Sequence, residues 1–380
     1  MKKNYSKILA HPWLRVALVA LVLCISFVIW NNGISINVAD DAQERFFLLE
    51  ETEAVVPLGS LESVLDDQQI IYIGIHVDKI YQLSLQSRSF SADGFIWLEW
   101  SASTREHMDQ NQISPIDLIR LVNRIETWDS TFETTTAEPE RLSAGRYYQR
   151  YRFSSRFYDD TIDFERDPFT FLDLPIVVEL APSSMSNKYA SSLLIPHHHQ
   201  NGFLGLSGSL SGYQLDRVTF EPYLHRYPSR FGQWYQPTIA QARLDIIYHA
   251  DFSSAFVSWV LPLLIVMSVV LLSPSVSGSM RDVRLAIPST ALLTLVFLQQ
   301  AYHDELPPLP YLTLLDQLFA CSYIIALGLF VLFTWGTNMY SRAPADKKDE
   351  VMQKIDGVDT IFQVCSVGAL SAVAIISWVG

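Results

Sequence analysis

The sequence predicts an all-β, immunoglobulin-like extracytoplasmic sandwich followed by an all-α bundle of four membrane-crossing helices. Three observations lead there. Only 18% of the 380 residues are charged, although 49% are hydrophobic, and an ordinary soluble domain carries about 25% charged residues. Apolar stretches near the length needed to cross a bilayer crowd the end of the chain at about 255–272, 283–302, 312–335 and 360–379. Before them run short β-rich segments separated by Ser, Asp, Asn, Pro and Gly clusters, without the alternation that marks a βαβ protein.

Residues 1–36 open with Lys2, Lys3, Lys7 and Arg15 ahead of an apolar run over 16–30. Basic residues before a short apolar run describe a secretory signal peptide or an uncleaved signal anchor. The shortness of the run favours cleavage, although residues 31–35 offer no small-x-small site.

Residues 37–252 are expected to form the sandwich. The β-rich runs are 70–77, 95–100, 174–180 and 243–248, with a minor helix expected near 115–123. Many short strands with turn signals suit two antiparallel sheets. The segment has no Gly-rich phosphate loop, nucleophile elbow or His-Glu-x-x-His, so no catalytic residue, enzyme activity or cofactor is expected. His197, His198 and His199 suggest a metal only weakly, because consecutive side chains diverge on a strand. A solvated loop is the plainer account, and no metal site is assigned. Cys24, Cys321 and Cys365 all lie in apolar runs, which excludes a disulfide framework. A net charge of −13 argues against nucleic acid, which calls for a basic face. Tyr223, Tyr227, Phe231, Trp234 and Tyr235 are either packing residues or part of an aromatic box for a cationic ligand.

In residues 253–380 the second apolar stretch carries Ser289, Thr290, Thr294, Gln299 and Gln300. Polar residues in a spanning helix face a bundle interior or water in preference to lipid. Arg281 and Arg284 mark the junction between the first and second of these helices, and Arg342, Lys347, Lys348 and Lys354 separate the third from the fourth, whereas the connector from His303 to Pro308 has no Lys or Arg. The positive-inside rule then places both basic loops in the cytoplasm and residues 37–252 outside.

Four local motifs, in order, resemble the pentameric ligand-gated ion channels, in particular the bacterial branch that lacks the disulfide loop. The run from Glu305 through Leu306, Pro307, Pro308, Leu309, Pro310, Tyr311 and Leu312 to Thr313 is similar to that family's connector between its second and third helices. Phe164-Glu165-Arg166-Asp167-Pro168-Phe169 is similar to the loop that faces it; segments 71–81 and 90–100, with Gly74 and Trp97-x-x-Trp100, resemble the first strands of the family's outer domain. Residues 225–232 resemble the capping region of its ligand site, and Val260-Leu261-Pro262-Leu263 adds a weaker match.

The resemblance implies a homopentameric ring, since a head-to-tail interface that closes generates cyclic symmetry. It also implies a lipid bilayer as host, a small-molecule ligand or a proton as trigger, and permeating cations. Asp282, Ala286, Thr290, Leu293, Phe297, Gln300 and Asp304 follow one another at steps of three or four, a single helix face, and the family's register makes that face the pore lining. Asp282 and Asp304 would then form carboxylate rings, with Leu293 and Phe297 a hydrophobic constriction. Inter-helix packing is the alternative role for those two. Coupling is implied for Asp167, Pro168 and Phe169 against Leu306, Pro307, Pro310 and Tyr311. Several residues depart from the pattern: Ala286 replaces a small hydroxyl residue, and Pro288 removes a helix hydrogen bond. Arg284 neutralises the inner ring if it points inward; Asp167 and Thr170 replace Phe and Asp. No basic residue stands at 248–251. These departures also suit a non-conducting sensor or scaffold with the same fold.

Overall fold

The computed structural model describes residues 54–55, 70–142, 145–181, 193–196, 203–207, 209–227, 229–230, 238–276 and 280–379. The apolar run at 16–30, the three consecutive histidines, Phe231, Trp234 and Tyr235 lie outside the described residues. The chain divides into two compact units, one of Asp41–Ile162 with Phe171–Ala250, the other holding Asp163–Thr170 and Asp251–Gly380.

The first unit is β-rich. An eight-stranded sheet runs in the order Leu193–Pro196, Ile70–Ser84, Ser89–Trp100, Tyr147–Tyr158, Arg124–Ile125. Leu204–Ser207 is added beside Ile70–Ser84, and Thr131–Thr134 and Glu140–Arg141 beside Tyr147–Tyr158. A six-stranded sheet runs Ala54–Val55, Tyr213–Arg226, Thr238–Ala250, Ile176–Leu180, Ile119–Leu121, with Phe171–Asp173 also on Thr238–Ala250. Pairings are antiparallel except where Leu193–Pro196 and Leu204–Ser207 lie parallel to Ile70–Ser84. The eight-stranded sheet is therefore mixed where a purely antiparallel one was expected, and the six-stranded sheet is antiparallel throughout.

Period-two burial explains the strands. Ile96, Leu98 and Trp100 are fully buried while Phe95, Trp97 and Glu99 are half-buried. Each fully buried large side chain contributes about 1.5–3 kcal/mol. Opposite Trp97 stands Gly74, and a Cβ added there would lie 2.0 Å from the indole. Only glycine lets the Trp97 ring cross its partner strand at that point.

One helix in this unit, α1 (Ala102–Asn111), escaped the sequence reading. Ser101 caps it by accepting from the Thr104 N–H at 3.3 Å, which satisfies one of the orphan donors of the first turn. Only Thr104 and Met108 are buried along it, so it has no apolar stripe to reveal it in sequence. Near 115–123 the expected helix is a short 3-10 turn, Pro115–Leu118, which gives way to the strand Ile119–Leu121. β-branched Ile119 and the buried alternate Leu121 suit a strand better than a helix.

Four helices of the second unit are long and apolar enough to cross a membrane: α2 (Phe252–Ser275), α3 (Arg281–His303), α4 (Leu314–Arg342) and α5 (Lys348–Val379). Together they make the chain a multi-pass membrane protein. The Asp251 carboxylate caps α2, accepting from the Ser254 N–H at 2.9 Å. A π turn, Phe256–Val260, lies just before Pro262, which has no N–H to offer the preceding turn. Thr313 and Asp316 form a reciprocal capping box that starts α4. The helix α5 starts well before the apolar run at 360, because the polar residues 348–359 continue the helix. Each helix packs on its neighbour in sequence, and α2 also packs on α5, which closes a four-helix bundle.

Candidate pore-lining helix and its supports

The helix α3 has two contrasting faces. Arg284, Pro288, Ala291, Leu295 and Tyr302 are buried against the chain's other helices. Asp282, Ala286, Thr290, Leu293, Phe297, Gln300 and Asp304 are all exposed. Leu293 and Phe297 are 57% and 65% exposed, far more than packing against the chain's other helices allows. The stripe read from the sequence is thus left uncovered by the chain's own bundle, as are Val283, Ser289 and Val296 on the same helix. Its Gln300 side chain donates to Asp304 Oδ1 at 2.9 Å. Pro288 sits inside the helix, which runs through it without interruption.

Polar residues off the stripe bond to the neighbouring helix or back to their own. The Gln299 amide donates to Asp316 Oδ1 at 3.3 Å and its oxygen accepts from the Tyr323 hydroxyl at 2.9 Å. His303 Nε2 lies 2.6 Å from Asp316 Oδ1, and the Tyr302 hydroxyl donates to Thr313 Oγ1 at 2.9 Å. Ser289 and Thr294 donate back to the carbonyls of Leu285 and Thr290 at 2.9 Å each. Such back-bonding lets a hydroxyl sit in an apolar helix without an unmet donor.

Arg284 points into the bundle. Its guanidinium pairs with Asp359 of α5 and lies 4.1 Å from the Phe333 ring centroid of α4. The side chains of Arg284 and Asp359 are 7% and 1% exposed. The Asp282 end of the stripe therefore lacks Arg284 beside it. Sequence reasoning missed Asp359, whose only signal was that it stands, like Arg284, at the edge of an apolar run.

The segment Asp163–Thr170 groups with the helices. The Phe164 N–H donates to the Tyr311 hydroxyl at 3.1 Å, and the Leu314 N–H donates to the Glu165 carbonyl at 2.8 Å. Phe169 stacks on Phe252 with centroids 5.2 Å apart and meets Trp378 edge-on at 5.9 Å. Asp167 is buried in this segment. Burial pushes its carboxyl up to about 7, helped by Glu305 and Asp316 and opposed by a hydrogen bond with Tyr302. Leu306 and Pro307 are buried, Tyr311 is half-buried and Pro310 is exposed. Pro168 is buried between Asp167 and Phe169. The expected coupling residues Asp167 and Phe169 thus lie in the same unit as the connector, tied to it by Tyr311.

In the β-rich unit Tyr223 is buried, facing Gln241 across the sheet. Tyr227 is half-buried; its hydroxyl donates to Glu179 Oε2 at 2.7 Å and its ring meets His225 edge-on at 4.5 Å. Glu179, fully buried, also pairs with Arg120 and accepts from the Gln241 amide at 3.0 Å. A second buried charge group places Arg243 between Asp173, at 3.0 Å, and Asp245. Burial first, and then Asp245, pushes the Asp173 carboxyl well above the usual range; burial raises Asp159 as well. Neither cluster was visible in sequence, because Glu179 meets Arg120, Tyr227 and Gln241 from distant segments and the Arg243–Asp245 pair meets Asp173 70 residues away. Among the described residues no three His, Cys, Asp or Glu side chains are placed to hold a metal ion. No family model matches the chain and no curated protein matches it.

Proposed function

We propose that this protein is a homopentameric, cation-preferring ion channel of the pentameric ligand-gated type, set in the cell's inner (plasma) membrane with the β-rich unit outside the cytoplasm. The observation that carries the reading is the uncovered stripe of α3, polar at both ends and apolar at Leu293 and Phe297. Five copies would cover it by facing one another across a water-filled axis. Carboxylates at Asp282 and Asp304 would concentrate cations, and the Leu293 and Phe297 rings would close the path by excluding water. A small-molecule ligand or a proton acting on the β-rich unit would shift the closed–open balance, to the extent that it binds the two states unequally. The segment Asp163–Thr170 is continuous in the chain with strands at both ends, and its ties to Tyr311 and Leu314 would pass movement to α3. The reading involves no enzymatic step and no cofactor.

The test is to purify the full chain, count its subunits by native mass spectrometry, and record in planar lipid bilayers across pH. Five subunits with cation current that changes with pH or an added ligand is the expected result. A pentamer that stays silent under every condition favours a non-conducting sensor of the same fold, and any other stoichiometry removes the proposed axis.

A further inference from the structure

Three helices converge on the Arg284 guanidinium: its own α3, α4 through Phe333 and α5 through Asp359. A cation almost wholly removed from water is stable only where a counter-charge and good geometry replace its hydration. Asp359 supplies the charge, and the Phe333 face adds a cation–π attraction. Arg284 Nε is buried without a hydrogen-bond partner, so the site holds the group by its terminal nitrogens and its plane. Only two residues earlier, Asp282 is exposed on the opposite side of the helix.

From this arrangement we infer that Asp359, which lies on the last helix and off the stripe, is a positioning residue for ion selectivity. It holds the Arg284 charge inside each protomer and so leaves the Asp282 carboxylates unneutralised. The inference rests on the channel reading above. Were Asp359 neutral, burial of Arg284 would lose its compensation. The long flexible side chain would then extend from the first turn of α3 toward water at the inner mouth. There it opposes the Asp282 charge.

The experiment measures reversal potentials in a KCl gradient with the purified full chain in planar lipid bilayers. Wild type and Asp359→Asn are compared with the double variant Arg284→Gln/Asp359→Asn. The expected results are a cation-preferring wild type and a fall of about tenfold in the cation-to-anion permeability ratio for Asp359→Asn. That is the order produced by one added charge a few ångströms from the ring at near-aqueous dielectric. The double variant returns to the wild-type ratio, because it has no Arg284 charge to release. A conducting wild type whose ratio is unchanged in Asp359→Asn overturns this inference and leaves the channel reading intact. A double variant as impaired as the single one also overturns it, since the loss would then come from damaged packing. A wild type that conducts nothing overturns both. If Asp359→Asn does not assemble, Arg284→Lys takes its place. Lysine keeps the charge but loses the planar fit to Asp359 and Phe333. A smaller fall in the ratio is expected, and no change overturns the inference.

Discussion

The two ends of α3 handle charge in opposite ways. At the N-terminal end one cation and one carboxylate, Arg284 and Asp359, are sealed in the bundle at 7% and 1% exposure. At the C-terminal end lies a partly wet network: the His303 side chain is 49% exposed, and its partner Asp316 also accepts from Gln299 and Thr313. Nearby Asp167 is buried, with Tyr302 as hydrogen-bond partner and the acidic Glu305 and Asp316 around it. A sealed pair is a fixed tie, because each partner replaces the water the other has lost. A network that includes a carboxyl raised to near neutrality takes up and releases a proton under mild conditions. Any effect of pH on this unit is expected at the His303 end, and the Arg284–Asp359 pair is expected to anchor its geometry.

The sharpest way to break that contrast is Arg284→Ala. It leaves Asp359 buried without its counter-charge, a change that costs about 3–5 kcal/mol. Thermal unfolding of the detergent-solubilised protein should show the loss at every pH, and the paired removal of both charges should recover most of it.

Asp167→Asn sharpens the comparison by pH. A carboxyl with a raised folded pKa keeps its proton in the folded chain after the unfolded chain has released it. Stability then falls as pH rises from about 4 through about 7, and is level above that window. The whole change amounts to no more than about 3 kcal/mol, given the usual discount for a partly relaxed site. Unfolding midpoints measured from pH 5 to pH 8 should decline in the wild type and stay flatter in Asp167→Asn, with the variant the more stable at the alkaline end. An equal decline in both would assign the pH response to other groups.

His303→Gln has the smallest expected effect. Water screens a half-exposed partner, so the loss should stay under about 1 kcal/mol in the same unfolding assay. A loss as large as that of Arg284→Ala would erase the distinction between the two ends.

Much of the architecture was legible before any coordinates. The four apolar stretches are helices, because a run of apolar residues long enough to cross a bilayer can satisfy its backbone only internally. The β-rich runs are strands for the same local reason, with alternation such as Ile96, Leu98 and Trp100 marking the buried side. The α3 stripe was legible too, since spacing alone fixes which residues share a helix face. Hidden were α1, whose polar sequence signals itself only through the Ser101 cap, and the onset of α5, where polar residues continue a helix that hydropathy ends at 360. The parallel placement of Leu193–Pro196 and Leu204–Ser207 beside Ile70–Ser84 was also hidden, because strand direction depends on connections and leaves no mark in a four-residue run.

Sequence by itself determined the elements, the apolar spans and the common face of Asp282, Leu293, Phe297 and Asp304, since each depends on neighbours a few residues apart. Tertiary structure alone decided where the charges go: Arg284 onto Asp359, Arg120 and Tyr227 onto Glu179, Arg243 between Asp173 and Asp245, and the Asp163–Thr170 segment onto Tyr311. A buried charge is stable only beside a specific partner. Which partner is within reach depends on how distant segments pack, and that information is spread over the whole chain.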